Sequence, residues 1–84
     1  MTPVVRVLLF GRLRDVAGWR ERIYRPAPES LSALRAMIAT EDAALAAALE
    51  SPGVRAAVDQ VLAQGDAVLR SGAEVAFMPP MSGG

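Results

Sequence analysis

Eighty-four residues, nine basic and nine acidic, with 52% hydrophobic composition, suit one soluble domain with a single modest core. The chain has no cysteine and no histidine, which excludes disulfides, thiol nucleophiles, Cys/His zinc sites and the usual acid–base group near neutral pH. Zero net charge, no basic run and only one Trp, one Tyr and two Phe argue against a nucleic-acid partner, and no apolar run reaches the length of a membrane span.

Met1-Thr2-Pro3 leads into an apolar run with no basic flank, so no signal peptide and a cytoplasmic location are expected. Val4 to Phe10 is rich in β-branched residues and predicts a strand, nearly all apolar and therefore central. Gly11 breaks it, and Arg12 to Gly18, with Leu13, Val16 and Ala17 at helical spacing, reads as one helical turn. Trp19 to Arg25 mixes polar and apolar positions, as an outer strand would, with arginines that discourage pairing with another molecule. Ser30 is positioned to cap a helix over Leu31 to Ala39, where Leu31, Leu34, Met37 and Ile38 form an apolar stripe. Thr40-Glu41-Asp42 marks a stop and a new cap, and Ala43 to Glu50 a second short helix, ended by Ser51-Pro52-Gly53.

Val54 to Asp59 and Gln60 to Leu62 predict short strands. Gly65-Asp66 and Ser71-Gly72 are turn signals, and Asp66 to Leu69 between them an irregular turn. Ala73 to Met78 is the last strand. The order β-β-α-(α)-β-β-β predicts an α+β domain over residues 1–78. The first and last strands, the two most apolar, lie side by side at the centre of a β-grasp sheet.

After the last strand come Pro79-Pro80 and then Met81-Ser82-Gly83-Gly84. Proline has no N–H for a ladder and stiffens the chain, so residues 79–84 are expected to form a flexible tail on a semi-rigid base. The tail presents the carboxylate of Gly84. Glycine lacks Cβ, so Gly83 and Gly84 let the backbone pass closely through a narrow active site, with Ser82 and Met81 following in the same passage. Phe10, Phe77 and Met78, with Pro79 and Pro80, are the candidate partner-binding residues. Core strand positions are the alternative, most strongly for Phe77, while Phe10 and Met78 sit at strand ends where an apolar docking patch is expected.

Three blocks carry a family resemblance: Val7-Leu8-Leu9-Phe10-Gly11 with Leu13-Arg14-Asp15-Val16-Ala17-Gly18, then Ala57-Val58-Asp59-Gln60, and above all Gly72 to Gly84. In these the whole chain resembles the small subunit of molybdopterin synthase, a ubiquitin-like β-grasp sulfur-carrier family. It departs from that family's pattern at Asp59, where asparagine is usual, at Ala73 (aspartate), at Met78 (a second phenylalanine) and near Met81 (valine).

The resemblance implies a non-catalytic carrier subunit. A separate activating enzyme uses ATP to adenylate Gly84, a sulfur donor protein replaces the adenylate to leave a thiocarboxylate, and the tail enters the large subunit to donate sulfur to the pterin precursor. It also implies a hetero-tetramer with the large subunit. No cofactor is bound by the carrier itself, since the chain has neither a P-loop nor a Rossmann-type glycine pattern. The same Gly-Gly end would serve a sulfur carrier of thiamin biosynthesis or a ubiquitin-like protein modifier; Phe77 and Pro79-Pro80 favour the molybdopterin reading over the thiamin one. All nine basic residues are arginine, so no lysine is present to accept an isopeptide bond.

Overall fold

The computed structural model describes residues 2–80. Five strands and three helices follow one another as β1 (Val5–Leu9), α1 (Arg12–Ala17), β2 (Glu21–Tyr24), α2 (Leu31–Glu41), α3 (Ala43–Leu49), β3 (Arg55–Val58), β4 (Val61–Leu62) and β5 (Glu74–Met78). The sheet order is β2-β1-β5-β3-β4. The expected neighbours β1 and β5 run parallel, with Arg6 opposite Glu74 and Leu9 opposite Phe77. The other pairings are antiparallel. This is the ubiquitin-like β-grasp arrangement.

Alternation along the strands divides the sheet into two faces. Val5, Val7 and Leu9 of β1 and Val75 and Phe77 of β5 are buried among Leu13, Leu31, Leu34, Ile38, Leu45 and Leu49 from the three helices. Each such side chain contributes roughly 1.5–3 kcal/mol by leaving water, which makes this face the main source of stability. Among the described residues no helix lies over the opposite face.

Local chemistry sets the helix ends. Ser30 Oγ accepts the Ala33 N–H at 3.2 Å, and Asp66 takes the Ser32 N–H and hydroxyl on its two oxygens, both at 2.8 Å. Two separate residues thus satisfy the free donors at the start of α2. Asp42 works twice. Its N–H closes α2 on the Ile38 carbonyl, and its carboxylate accepts the Leu45 N–H at 3.0 Å to open α3. The expected stop and new cap therefore coincide in one residue, and α2 runs two residues past the expected Ala39.

The segment expected to form one turn, Arg12 to Gly18, is a six-residue helix. Leu13 anchors it in the core, and Gly18, at φ 81°, closes it on the Arg14 carbonyl. The domain therefore has one more helix than its sequence pattern predicts. A helix this short shows too little periodicity to be distinguished from a turn. The expected irregular turn Asp66 to Leu69 is held in place: Leu69 N–H bonds the Glu29 carbonyl, Leu31 N–H bonds the Ala67 carbonyl, and Leu69 is buried.

Candidate functional site

Pro79 and Pro80 leave the sheet where β1 and β5 both finish. Beyond the Leu9–Phe77 pair, Phe10 N–H donates to the Phe77 carbonyl at 3.2 Å, so Phe10 continues the ladder past the end of β1. Alternation puts Phe10 and Met78 on the open face and Phe77 on the covered one. Phe10 is 46% exposed, Met78 is half-buried and Phe77 is 0% exposed. Phe77 is thus removed from the candidate docking residues. It packs within the core under the Arg35 guanidinium, 5.2 Å from the ring centroid, and a partner cannot reach it without opening the domain.

The open face has a clear arrangement. Register aligns Leu8, Ala76, Ala57 and Leu62 in one apolar row across β1, β5, β3 and β4. Towards the tail this row is followed by Phe10 and Met78, with Arg55 opposite Met78. Away from the tail it is followed by charge: Arg6 donates to Glu74 and lies 3.7 Å from Glu21. An apolar strip therefore leads to the tail exit, with polar groups closing its far end. Beside it, Phe10, Arg14, Arg20 and Glu21 line a shallow cleft.

Two glycines complete the exit. A Cβ on Gly11 would lie 2.7 Å from Pro79 Cγ, and a Cβ on Gly53 would lie 2.6 Å from Pro80 Cβ. Both glycines have positive φ, 58° and 86°. Pro79 and Pro80 thus lie against the loops after β1 and α3, and Pro79 is half-buried. Expected to stiffen the base of the tail, the two prolines pack against these glycine loops. In sequence Gly11 reads only as a strand breaker and Gly53 only as a helix stop. Nothing local links either to prolines far along the chain.

Met81, Ser82, Gly83 and Gly84, the candidate tail-passage and reacting residues, lie outside the described residues. Resolved pKa shifts fall at Tyr24 and Asp66. Burial, and then the Glu41 carboxylate, push the Tyr24 hydroxyl up; it donates to Glu41 Oε1 at 3.2 Å and ties β2 to the end of α2. The Ser32 N–H, and then its hydroxyl, hold Asp66 below the usual carboxylate range. Both groups brace the scaffold. Among the described residues no group of three or more His, Cys, Asp or Glu is placed to hold a metal ion, and no helix is long and apolar enough to cross a membrane.

The model of the ThiS family matches residues 7–84, nearly the whole chain. The chain belongs to the ThiS family. Within this family of β-grasp sulfur carriers, one relative is the molybdopterin synthase sulfur carrier subunit of Escherichia coli (strain K12). It is 36% identical over 81 residues, covering 96% of this chain and 100% of the relative. Among solved structures, the small archaeal modifier protein 1 of Methanosarcina acetivorans superposes with a TM-score of 0.82 at 20% identity, covering 100% of this chain and 99% of that one. The protein of the same name from Haloferax volcanii gives 0.77 at 22% identity, with 96% and 99% covered. At these identities the two structures establish the shared fold. The ThiS-family match includes β1 from Val7 onward, the other four strands, Gly11, Gly53 and the C-terminal residues.

Proposed function

We propose that this chain is the sulfur carrier of molybdopterin biosynthesis, the small subunit of a molybdopterin synthase. The observation that carries this reading is the 36% identity to the E. coli sulfur carrier subunit over the full length of that relative. The geometry supports it. An apolar strip on the uncovered sheet face leads to the seated base of a Gly-Gly tail, so a partner that covers the strip receives the tail beside it.

The chemistry is the one that the resemblance to this sulfur-carrier family implies. The Gly84 carboxylate attacks the α-phosphate of ATP on an activating enzyme, releasing pyrophosphate and leaving an acyl adenylate. Sulfide-level sulfur from a donor protein displaces AMP and leaves a thiocarboxylate, a good sulfur nucleophile. The large subunit of the synthase covers Leu8, Phe10 and Met78 and takes the tail into its own pocket. There the thiocarboxylate sulfur bonds to a carbon of the pterin precursor as an oxygen substituent leaves, water cleaves the resulting thioester to return the Gly84 carboxylate, and two such deliveries build a dithiolene. Without histidine or cysteine, this chain leaves proton transfers to its partners. ATP binds the activating enzyme, and the carrier supplies only the acceptor.

Intact mass is the test, with activating enzyme, ATP and a sulfur donor present. The expected result is a gain equal to one oxygen exchanged for sulfur, lost when Gly84 is deleted. The deleted form keeps the parent melting temperature, since the core lies within residues 5–77. An unchanged mass of the parent chain, or normal product formation by the truncated one, overturns the reading. Covalent attachment to lysines of many other proteins would move the assignment to a modifier.

A further inference from the structure

We infer that Gly11 and Gly53 are positioning residues: they are seats for Pro79 and Pro80 that set the direction in which the reactive tail leaves the domain. The inference rests on the carrier reading and adds two residues to it.

The argument starts from space. Five glycines among the described residues have positive φ: Gly11, Gly18, Gly53, Gly65 and Gly72. Gly18, Gly65 and Gly72 would have nothing within 4 Å of an added Cβ, so conformation alone accounts for them. At Gly11 and Gly53 the added atom would overlap proline ring carbons, at 2.7 and 2.6 Å. Those ring carbons are not the far end of a flexible side chain. Relief to about 3.4 Å displaces Pro80 by about 0.8 Å, and the chain beyond moves with it.

The two seats come from opposite sides of the exit. Gly11 follows β1 and Gly53 precedes β3, the strands that flank β5. Each holds one of two successive prolines, whose fixed φ leaves little freedom between them. Four residues then span at most about 14 Å to Gly84. With the tail held extended in the large subunit's pocket, a shift of ångström size at its base is carried to the reacting group. Displacements of about 1 Å cost a positioned reaction up to about 100-fold in rate.

A matched pair of substitutions separates the seat from backbone strain. Gly53 and Gly72 have nearly the same φ, 86° and 84°, but only Gly53 faces a proline. Gly53→Ala and Gly72→Ala therefore share the cost of the positive φ, and only Gly53→Ala adds the overlap with Pro80. In single-turnover sulfur transfer with the large subunit saturating, Gly53→Ala should be about 10- to 100-fold slow with its affinity for the large subunit kept, and Gly72→Ala should match the parent. Gly11→Ala should be slow as well, and Gly11→Ala with Pro79→Ala faster than Gly11→Ala alone. Equal rates for Gly53→Ala and Gly72→Ala, or no gain in the double variant, overturn the inference.

A second measurement holds even if the alanine variants fail to fold. In the unsubstituted protein, nuclear Overhauser contacts are expected from Gly11 Hα to the Pro79 ring and from Gly53 Hα to Pro80 Hβ; their absence overturns the inference. Failure of the parent chain to transfer sulfur would strike the carrier reading instead and leave these contacts to decide the seats.

Discussion

The two ends of β5 are built on different principles. At its start, Glu74 is fastened by polar bonds. Asp59 N–H donates to the Glu74 carbonyl at 2.8 Å, the Glu74 N–H returns to Asp59 Oδ1 at 3.0 Å, and Arg6 bonds the Glu74 side chain. At its finish, Met78 pairs with Arg55 of β3, Pro79 and Pro80 lie against Gly11 and Gly53, and Phe10 beside them is exposed. Hydrogen bonds at the start close the fold on itself. Apolar surface at the finish stays open to solvent, as a partner surface would. Under the proposed function, the same strand is a structural member at one end and a presentation site at the other.

Substitutions along the strand should separate the two roles, most sharply at the neighbours Phe77 and Met78. Phe77→Ala is expected to cost about 3–5 kcal/mol, a large part of the ~4–13 kcal/mol typical of a domain of this size. Denaturant unfolding would show the midpoint fall, and a midpoint close to the parent's would return Phe77 to the surface. Met78→Ala, one residue on, should reverse the pattern. Affinity for the large subunit should fall about tenfold while stability changes by less than about 1 kcal/mol. Titration calorimetry beside thermal melting measures both, and unchanged affinity would move the docking site away from the tail exit.

At the opposite end, Asp59→Ala removes the acceptor for Glu74 N–H in a turn where Asp59 itself has φ 49°. The expected cost is about 1–2 kcal/mol with sulfur transfer unaffected, which urea unfolding and a transfer assay would check together. The exposed Arg6 ion pairs should contribute little to this, because solvent and salt screen them.

The smallest effect concerns pH. Asp66 has a depressed folded pKa, so its contribution is present above its unfolded value near ~3.9 and is lost as pH falls through the folded value. Asp66→Asn should therefore flatten the acid limb of the stability curve. Melting curves from pH 2 to 6 that keep the parent's slope would remove Asp66 as a cap of α2.

Much of this was readable from residues alone. Ser30 and Asp42 announce the starts of α2 and α3 because capping is local chemistry. Leu31, Leu34 and Ile38 announce the buried stripe of α2 because helical period is local geometry. The Pro79-Pro80 and Gly83-Gly84 pairs are the sequence basis of the proposed tail, and Gly83 and Gly84 lie outside the described residues. α1 escaped notice as a helix because six residues with one buried anchor carry almost no periodicity.

The face of β5 was a different matter. Val75, Ala76, Phe77 and Met78 are all apolar, so alternation in the sequence cannot say which pair is covered and which is presented. Pairing of β5 with β1 in one register, under helices on one side only, buries Phe77 and leaves Met78 beside Phe10. The seats of Pro79 and Pro80 are likewise invisible in sequence. A glycine reveals that a side chain is absent, and only the folded chain shows what occupies the space.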